Sequence, residues 1–179
     1  MLQKMSNKQV LITALFFTLA ADYFLCFADY FTPGVFLFCL VQLCYNYYLH
    51  RTVNSFIASG LTGIILLSCL GILFKLPLDS TAFAAAFYFA CLISNVFIAW
   101  RLIPDQFTFS ITSLLFCDIH VGIYNLPLYL SVIPEPLLFY SRRLALFGIW
   151  LFYIPGLFLL ISQISHLTFS TYNNTRDAE

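Results

Sequence analysis

The sequence predicts an all-α fold, a polytopic bundle of transmembrane helices. Three observations predict it. The 179 residues are 61% hydrophobic and only 9% charged, against about 25% charged in an ordinary soluble domain. The mean hydropathy is +0.91, too apolar for the chain to solvate its own surface in water. Apolar runs recur along the sequence near the length of about 20 residues that a helix needs to cross a hydrocarbon core.

Six such runs are read, forming one integral membrane domain over 1–179. The first, 9–28, follows Lys4 and Lys8 and so begins like a signal peptide. Leu19 breaks the small-residue cleavage rule and further apolar runs follow at once, so a span is expected instead. The second run, 34–50, lies between "TPG" at 32–34 and "HRTVN" at 50–54. The third, 54–74, ends at "KLPLDS", and the fourth, 81–100, ends at "RLIPDQ". The fifth, 106–131, exceeds one crossing, and Asn125-Leu126-Pro127 is expected to break it, because proline offers no backbone N–H. The sixth, 138–164, follows "IPEP", with a kink expected at Pro155. The tail "TYNNTRDAE" is polar and expected to fray.

Six spans put both ends on one side. That side carries Lys4, Lys8, Arg51, Arg101 and Arg176, while the other carries Lys75, Arg142 and Arg143. The excess of basic residues places both termini in the cytoplasm. Arg142 and Arg143 read as interfacial anchors. A bacterial plasma membrane is the expected location.

Eight Lys plus Arg balance eight Asp plus Glu, with no basic stripe for nucleic acid. The six cysteines all lie in apolar runs and form no C-x-x-C pair, so they read as small hydrophobes. The three histidines lack metal-ligand spacing. No metal and no cofactor are expected.

Ionisable residues inside a span are costly and by default mark function. Asp22 stands thirteen residues into the first run and Asp118 twelve into the fifth. Those runs point the same way, so both carboxylates lie roughly 18–20 Å from the cytoplasmic end at 1.5 Å per residue. If the two helices meet, the carboxylates can share one cavity. Asp29 and Asn125 follow each aspartate by seven residues, on nearly the same faces and towards the far interface. Gln42, Tyr45 and Asn46 share one face of the second span by i, i+3, i+4 spacing. Ser94 and Asn95 lie inside the fourth span, and Tyr153 inside the sixth. His120, two residues past Asp118, points elsewhere on its helix and reads as a packing residue.

These residues resemble the lysoplasmalogenase (YhhN-like) membrane family, in a divergent and shortened form. The family motif F-S-L-x-G-D-x-x-L is matched by "FFTLAADYFL", with Asp22 as its aspartate and Ala21 in place of glycine. The motif G-x3-F-x3-H-x2-Y is matched by "GVFLFCLVQLCY", where Gly34, Phe38, Gln42 and Tyr45 keep the spacing and Gln42 replaces histidine. The motif G-A-L-L-F-x-x-S-D is matched in length by "SITSLLFCD", with Asp118 as its aspartate. "FYIPGL" at 152–157 echoes a final Y-Y-x-x-Q-like segment without the glutamine. Family members usually have eight spans, and the six read here correspond to the later ones.

The resemblance implies a hydrolase that cleaves the vinyl ether of lysoplasmalogen to a fatty aldehyde and glycerophospho-ethanolamine or -choline. Asp22 and Asp118 would be the catalytic pair. The partners are then a lysophospholipid-like substrate and the bilayer. Such a reaction needs one carboxyl group to deliver a proton and a second, ionised, to steady an oxocarbenium ion and orient water. Gln42, Tyr45, Asn46, Asp29, Asn125 and Tyr153 are the candidate substrate-binding groups. A small proton- or cation-coupled transporter using the same aspartates is the alternative. A non-catalytic relative is the third reading.

Overall fold

A computed structural model describes residues 7–26, 30–130 and 134–176. Among them the secondary structure is helical, with seven α-helices and one short 3-10 turn. They are α1 (Asn7–Cys26), α2 (Phe31–Tyr48), α3 (Val53–Phe74), α4 (Ser80–Leu102), α5 (Gln106–Asn125), α6 (Glu135–Arg143) and α7 (Ala145–Arg176). The 3-10 turn, Leu126–Leu128, follows α5.

Polar side chains set three of the helix starts. Thr52 accepts a hydrogen bond from the Ser55 N–H and starts α3. Asp79 and Asp105 do the same for α4 and α5, through the N–H groups of Ala82 and Thr108. Each satisfies one N–H that a helix start leaves without a partner.

Five helices are long and apolar enough to cross a membrane: α1, α3, α4, α5 and α7. The second expected span, α2, carries Gln42, Asn46 and three tyrosines in its last two turns, which lower its hydropathy. It is nevertheless part of the bundle wall. The neighbours run α1–α2, α2–α4, α4–α5, α5–α7 and α7–α1, which closes a ring of five helices. α3 stands outside this ring against α4. There Gly63 lies so close to α4 that a Cβ atom would collide with the Ala86 carbonyl and the Ala90 methyl group.

The fifth run breaks at Asn125 as expected, giving way to the 3-10 turn that contains Pro127. The sixth run differs from expectation. It is two helices, and the crossing begins at Ala145, not 138. α6 is a short amphipathic helix ending in Arg142 and Arg143. Charged residues at its end keep it out of hydrocarbon, and the apolar α7 starts immediately afterwards. The Arg142 side chain lies outside the described part, and Arg143 is exposed. The tail also differs: α7 stays helical to Arg176. Pro155 sits inside α7, where α5 supplies hydroxyls to the adjoining backbone. Ser113 donates to the Phe152 carbonyl at 2.7 Å and Ser110 to the Gly156 carbonyl at 2.8 Å. Such side chains make an interrupted helix tolerable in lipid.

The ring is filled unevenly. Its closed half is the one holding the start of α1. Leu11, Ala14, Tyr45, Leu92, Ala99, Phe107, Ile111 and Leu160 are all fully buried there. The rings of Tyr45 and Phe107 meet edge to face at 5.3 Å, bridging α2 and α5 across the middle. In the other half, residues 85–90 of α4 are all part-exposed, whichever way they face.

Candidate functional site

Both aspartates sit in the looser half of the ring. Asp22 stands four residues before the end of α1 and Asp118 seven before the end of α5. Tyr88 and Tyr153 each stand eight residues after the start of their helices, α4 and α7. At 1.5 Å per residue all four lie roughly 6–12 Å below the same rim. That rim is the one away from the start of α1.

Each carboxylate is held by a phenol from an adjacent ring helix. Tyr153 of α7 donates to Asp22 Oδ2, and Tyr88 of α4 donates to Asp118 Oδ2. The second oxygen of each carboxylate takes no hydrogen bond from the described residues. α1 and α5 are not packed on each other. Their aspartates nevertheless lie within electrostatic reach of each other. The fifth ring helix contributes Tyr45, which interacts electrostatically with both Asp118 and Tyr88. Four wall helices therefore bring an acidic or phenolic oxygen to this half of the ring.

Aromatic rings brace these groups. Phe38 packs on Tyr88 at 5.4 Å between centroids, and Trp150 meets Tyr153 edge to face at 6.0 Å. Cys117, beside Asp118 in sequence, is buried. The five described cysteines, Cys39, Cys44, Cys69, Cys91 and Cys117, are all free. Two of them hydrogen-bond carbonyls of neighbouring helices: Cys91 to Phe56 and Cys39 to Ala84.

Gln42 and Asn46 are placed elsewhere. Both are buried in the closed half, where they tie the α2–α3 turn to α4. Asn95 donates to the Gln42 carbonyl and to Gln42 Oε1, both at 3.1 Å. Arg51 donates to Asn95 Oδ1 at 2.9 Å and to Ser55. Asn46 donates to the carbonyls of Arg51 and Thr52 at 3.3 Å. Burial draws the Arg51 guanidinium below its ordinary pKa. Ser94 closes the same region through Ser59 at 3.1 Å. A second tie nearby joins Gln163 of α7 to Asp105 at 2.9 Å and to the Tyr48 hydroxyl at 3.3 Å.

Asn125 bonds back to the Val121 carbonyl of its own helix, at the rim. Asp29 lies outside the described residues. His120 bonds the Phe116 carbonyl and stacks on Phe152 and Tyr140, so it packs α6 and α7 onto α5.

Of the sequence candidates, then, Asp22 and Tyr153 are hydrogen-bonded, Asp118 lies within electrostatic reach of Asp22, and Tyr45 is packed in the core of the closed half. Tyr88 is the partner that sequence reasoning missed. Its signal was a tyrosine in the fourth span at the depth of Asp118, but one aromatic among many carries no weight until α4 and α5 are known to be neighbours.

Compared with known protein families, with characterised proteins and with solved structures, the chain matches none.

Proposed function

We propose that this chain is a membrane-embedded lipid hydrolase of the lysoplasmalogenase type, using Asp22 and Asp118 as its acid–base pair. One observation carries the reading. Two carboxylates on helices that do not pack together lie within electrostatic reach of each other, each hydrogen-bonded by its own tyrosine. Each keeps one oxygen without a hydrogen bond from the described residues. A pair that served only to fasten helices would spend its oxygens on one another's helices. The motif matches around Asp22, Tyr45 and Asp118 add the substrate class.

The chemistry is balanced by the two carboxyl groups alone. The protonated one delivers its proton to the β-carbon of the vinyl ether, leaving an oxocarbenium ion. The ionised one lies near the cation and lowers its energy in a site poor in water. Water then closes on the α-carbon and gives a proton to the ionised carboxylate. The resulting hemiacetal breaks its bond to the glycerol oxygen. That oxygen takes a proton from one carboxyl group while the hemiacetal hydroxyl returns one to the other. The products are a fatty aldehyde and the glycerophospho-alcohol, and the pair regains its starting protonation.

The test is aldehyde release from lysoplasmalogen by purified protein in detergent. Asp22→Asn and Asp118→Asn should each lower the rate by about a hundredfold or more, the usual size of a lost acid–base group. Their melting profiles should stay cooperative. Wild-type protein that releases no aldehyde, but whose aspartates control proton or cation flux in liposomes, would make the chain a carrier.

A further inference from the structure

Arg51 is a clamped cation with no anion beside it. It lies in the turn between α2 and α3, and its side chain folds back onto the bundle. Nη1 donates to Asn95 Oδ1 at 2.9 Å, and Nη2 donates to Ser55 Oγ. Both acceptors are neutral, and no Asp or Glu among the described residues pairs with the guanidinium. Arg101, at the same end of the bundle, is held differently. It is exposed and lies over the Phe97 ring at 4.2 Å.

The clamp on Arg51 is itself fixed. Asn95 is 0% exposed, and its Nδ2 is spent on the Gln42 carbonyl and Gln42 Oε1, both at 3.1 Å. Asn95 therefore offers Oδ1 to the guanidinium in one orientation. An arginine that only reached for water would keep its rotamer freedom and need no such hold. The clamp uses two of the five guanidinium N–H groups. Nε bonds none of the described residues, and unlike the Tyr45 hydroxyl and Asn46 Oδ1 it is not closed off.

Depth selects the anion. The 22 residues of α3 span about 33 Å, close to the thickness of a hydrocarbon core. Arg51 reaches only the first turn of α3, at Ser55, so its charge lies at the hydrocarbon edge. Phospholipid phosphates lie at that level. α3 stands outside the ring, so the corner where it meets α2 and α4 is on the lipid-facing side of the bundle.

We propose that Arg51 anchors a phosphate site at the α2–α3 turn, occupied by the headgroup phosphate of a bilayer phospholipid. The unused N–H groups of the guanidinium take phosphate oxygens, for which its planar fork is suited. The lipid supplies the missing negative charge and fixes this end of the bundle at the membrane surface. Asp22 and Asp118 lie towards the other face, so the site does not rest on the hydrolase reading.

Thermal unfolding of the full chain in detergent tests this. The probes are dioctanoyl-phosphatidylglycerol, dioctanoylglycerol and inorganic phosphate. The phospholipid should raise Tm in a saturable way, and dioctanoylglycerol, which has no phosphate, should not. Arg51→Gln should raise the half-saturating phospholipid concentration by about tenfold or more, the size of hydrogen bonds to a charged group. Arg51→Lys keeps the charge without the fork and should weaken binding severalfold. Arg101→Gln removes a cation from the same face and should bind as wild type does. No shift with phospholipid, an equal shift with dioctanoylglycerol, or an equal loss in Arg101→Gln overturns the proposal. Inorganic phosphate that matches the phospholipid at equal concentration overturns the lipid occupant and leaves a free-anion site. If Arg51→Gln does not fold, Arg51→Lys and the wild-type probe series decide.

Discussion

At the scale of the residue, the two networks of polar groups have different tasks. The Gln42–Asn95–Arg51 network ties α2, the α2–α3 turn and α4 together. Asn95→Ala should therefore lower stability by about 2 kcal/mol, the cost of stranding buried partners. Chemical or thermal unfolding would measure it, and activity per folded molecule should not change. Tyr88→Phe and Tyr153→Phe should do the opposite. Each removes the phenol that orients a carboxylate, so the rate should drop by about tenfold or more while the fold persists. Equal loss of stability in both groups of variants would contradict this division. Asp22 and Asp118 were legible in the sequence because a carboxylate in an apolar run is conspicuous. Tyr88 was not, because its role depends on which helix stands beside it.

At the scale of the element, lengths and breaks follow from local chemistry. Asp79 and Asp105 start α4 and α5, and Pro127 sits in the turn that ends the fifth run. The division of the sixth run into α6 and α7 was not anticipated. The apolar composition runs on from 137 to 140, but the paired arginines hold that stretch at the surface. The α3–α4 contact depends on two missing side chains: a Cβ at Gly60 would collide with the Phe87 ring and one at Gly63 with the Ala86 carbonyl. Gly63→Leu should push α3 from α4 and cost about 1–3 kcal/mol or more, as overpacking does. A fall in Tm without loss of helix content would be the expected result. Circular dichroism of the detergent-solubilised variant reads both.

At the scale of the whole molecule, polarity is arranged for lipid. Ile72, Leu73, Phe158 and Leu128 are each at least 70% exposed, while Gln42, Asn46, Asn95 and Ser110 are buried. An apolar exterior around a partly polar interior is stable where the surroundings are hydrocarbon. The crossings also assign sides. Cysteines placed at His50 and at Pro77 should react with a membrane-impermeant thiol reagent from opposite faces of a sealed vesicle. Labelling of both from one face would break the alternation of α2, α3 and α4. Asp22 and Asp118 lie nearer the Pro77 face than the His50 face.

Composition and spacing by themselves determined that this is an all-α membrane bundle, where most helices lie, and which two carboxylates are out of place in lipid. Those properties are local, since hydropathy and the cost of a buried charge act on each segment separately. Only the tertiary structure decided that α1 and α5 belong to one ring without packing on each other. It also separated Tyr45 from Gln42 and Asn46, which share its helix face but lie among different neighbours. Helix adjacency arises from packing among many segments of similar apolarity, and no single segment encodes it. The two aspartates of the first and fifth spans come within electrostatic reach because three other helices complete the ring around them.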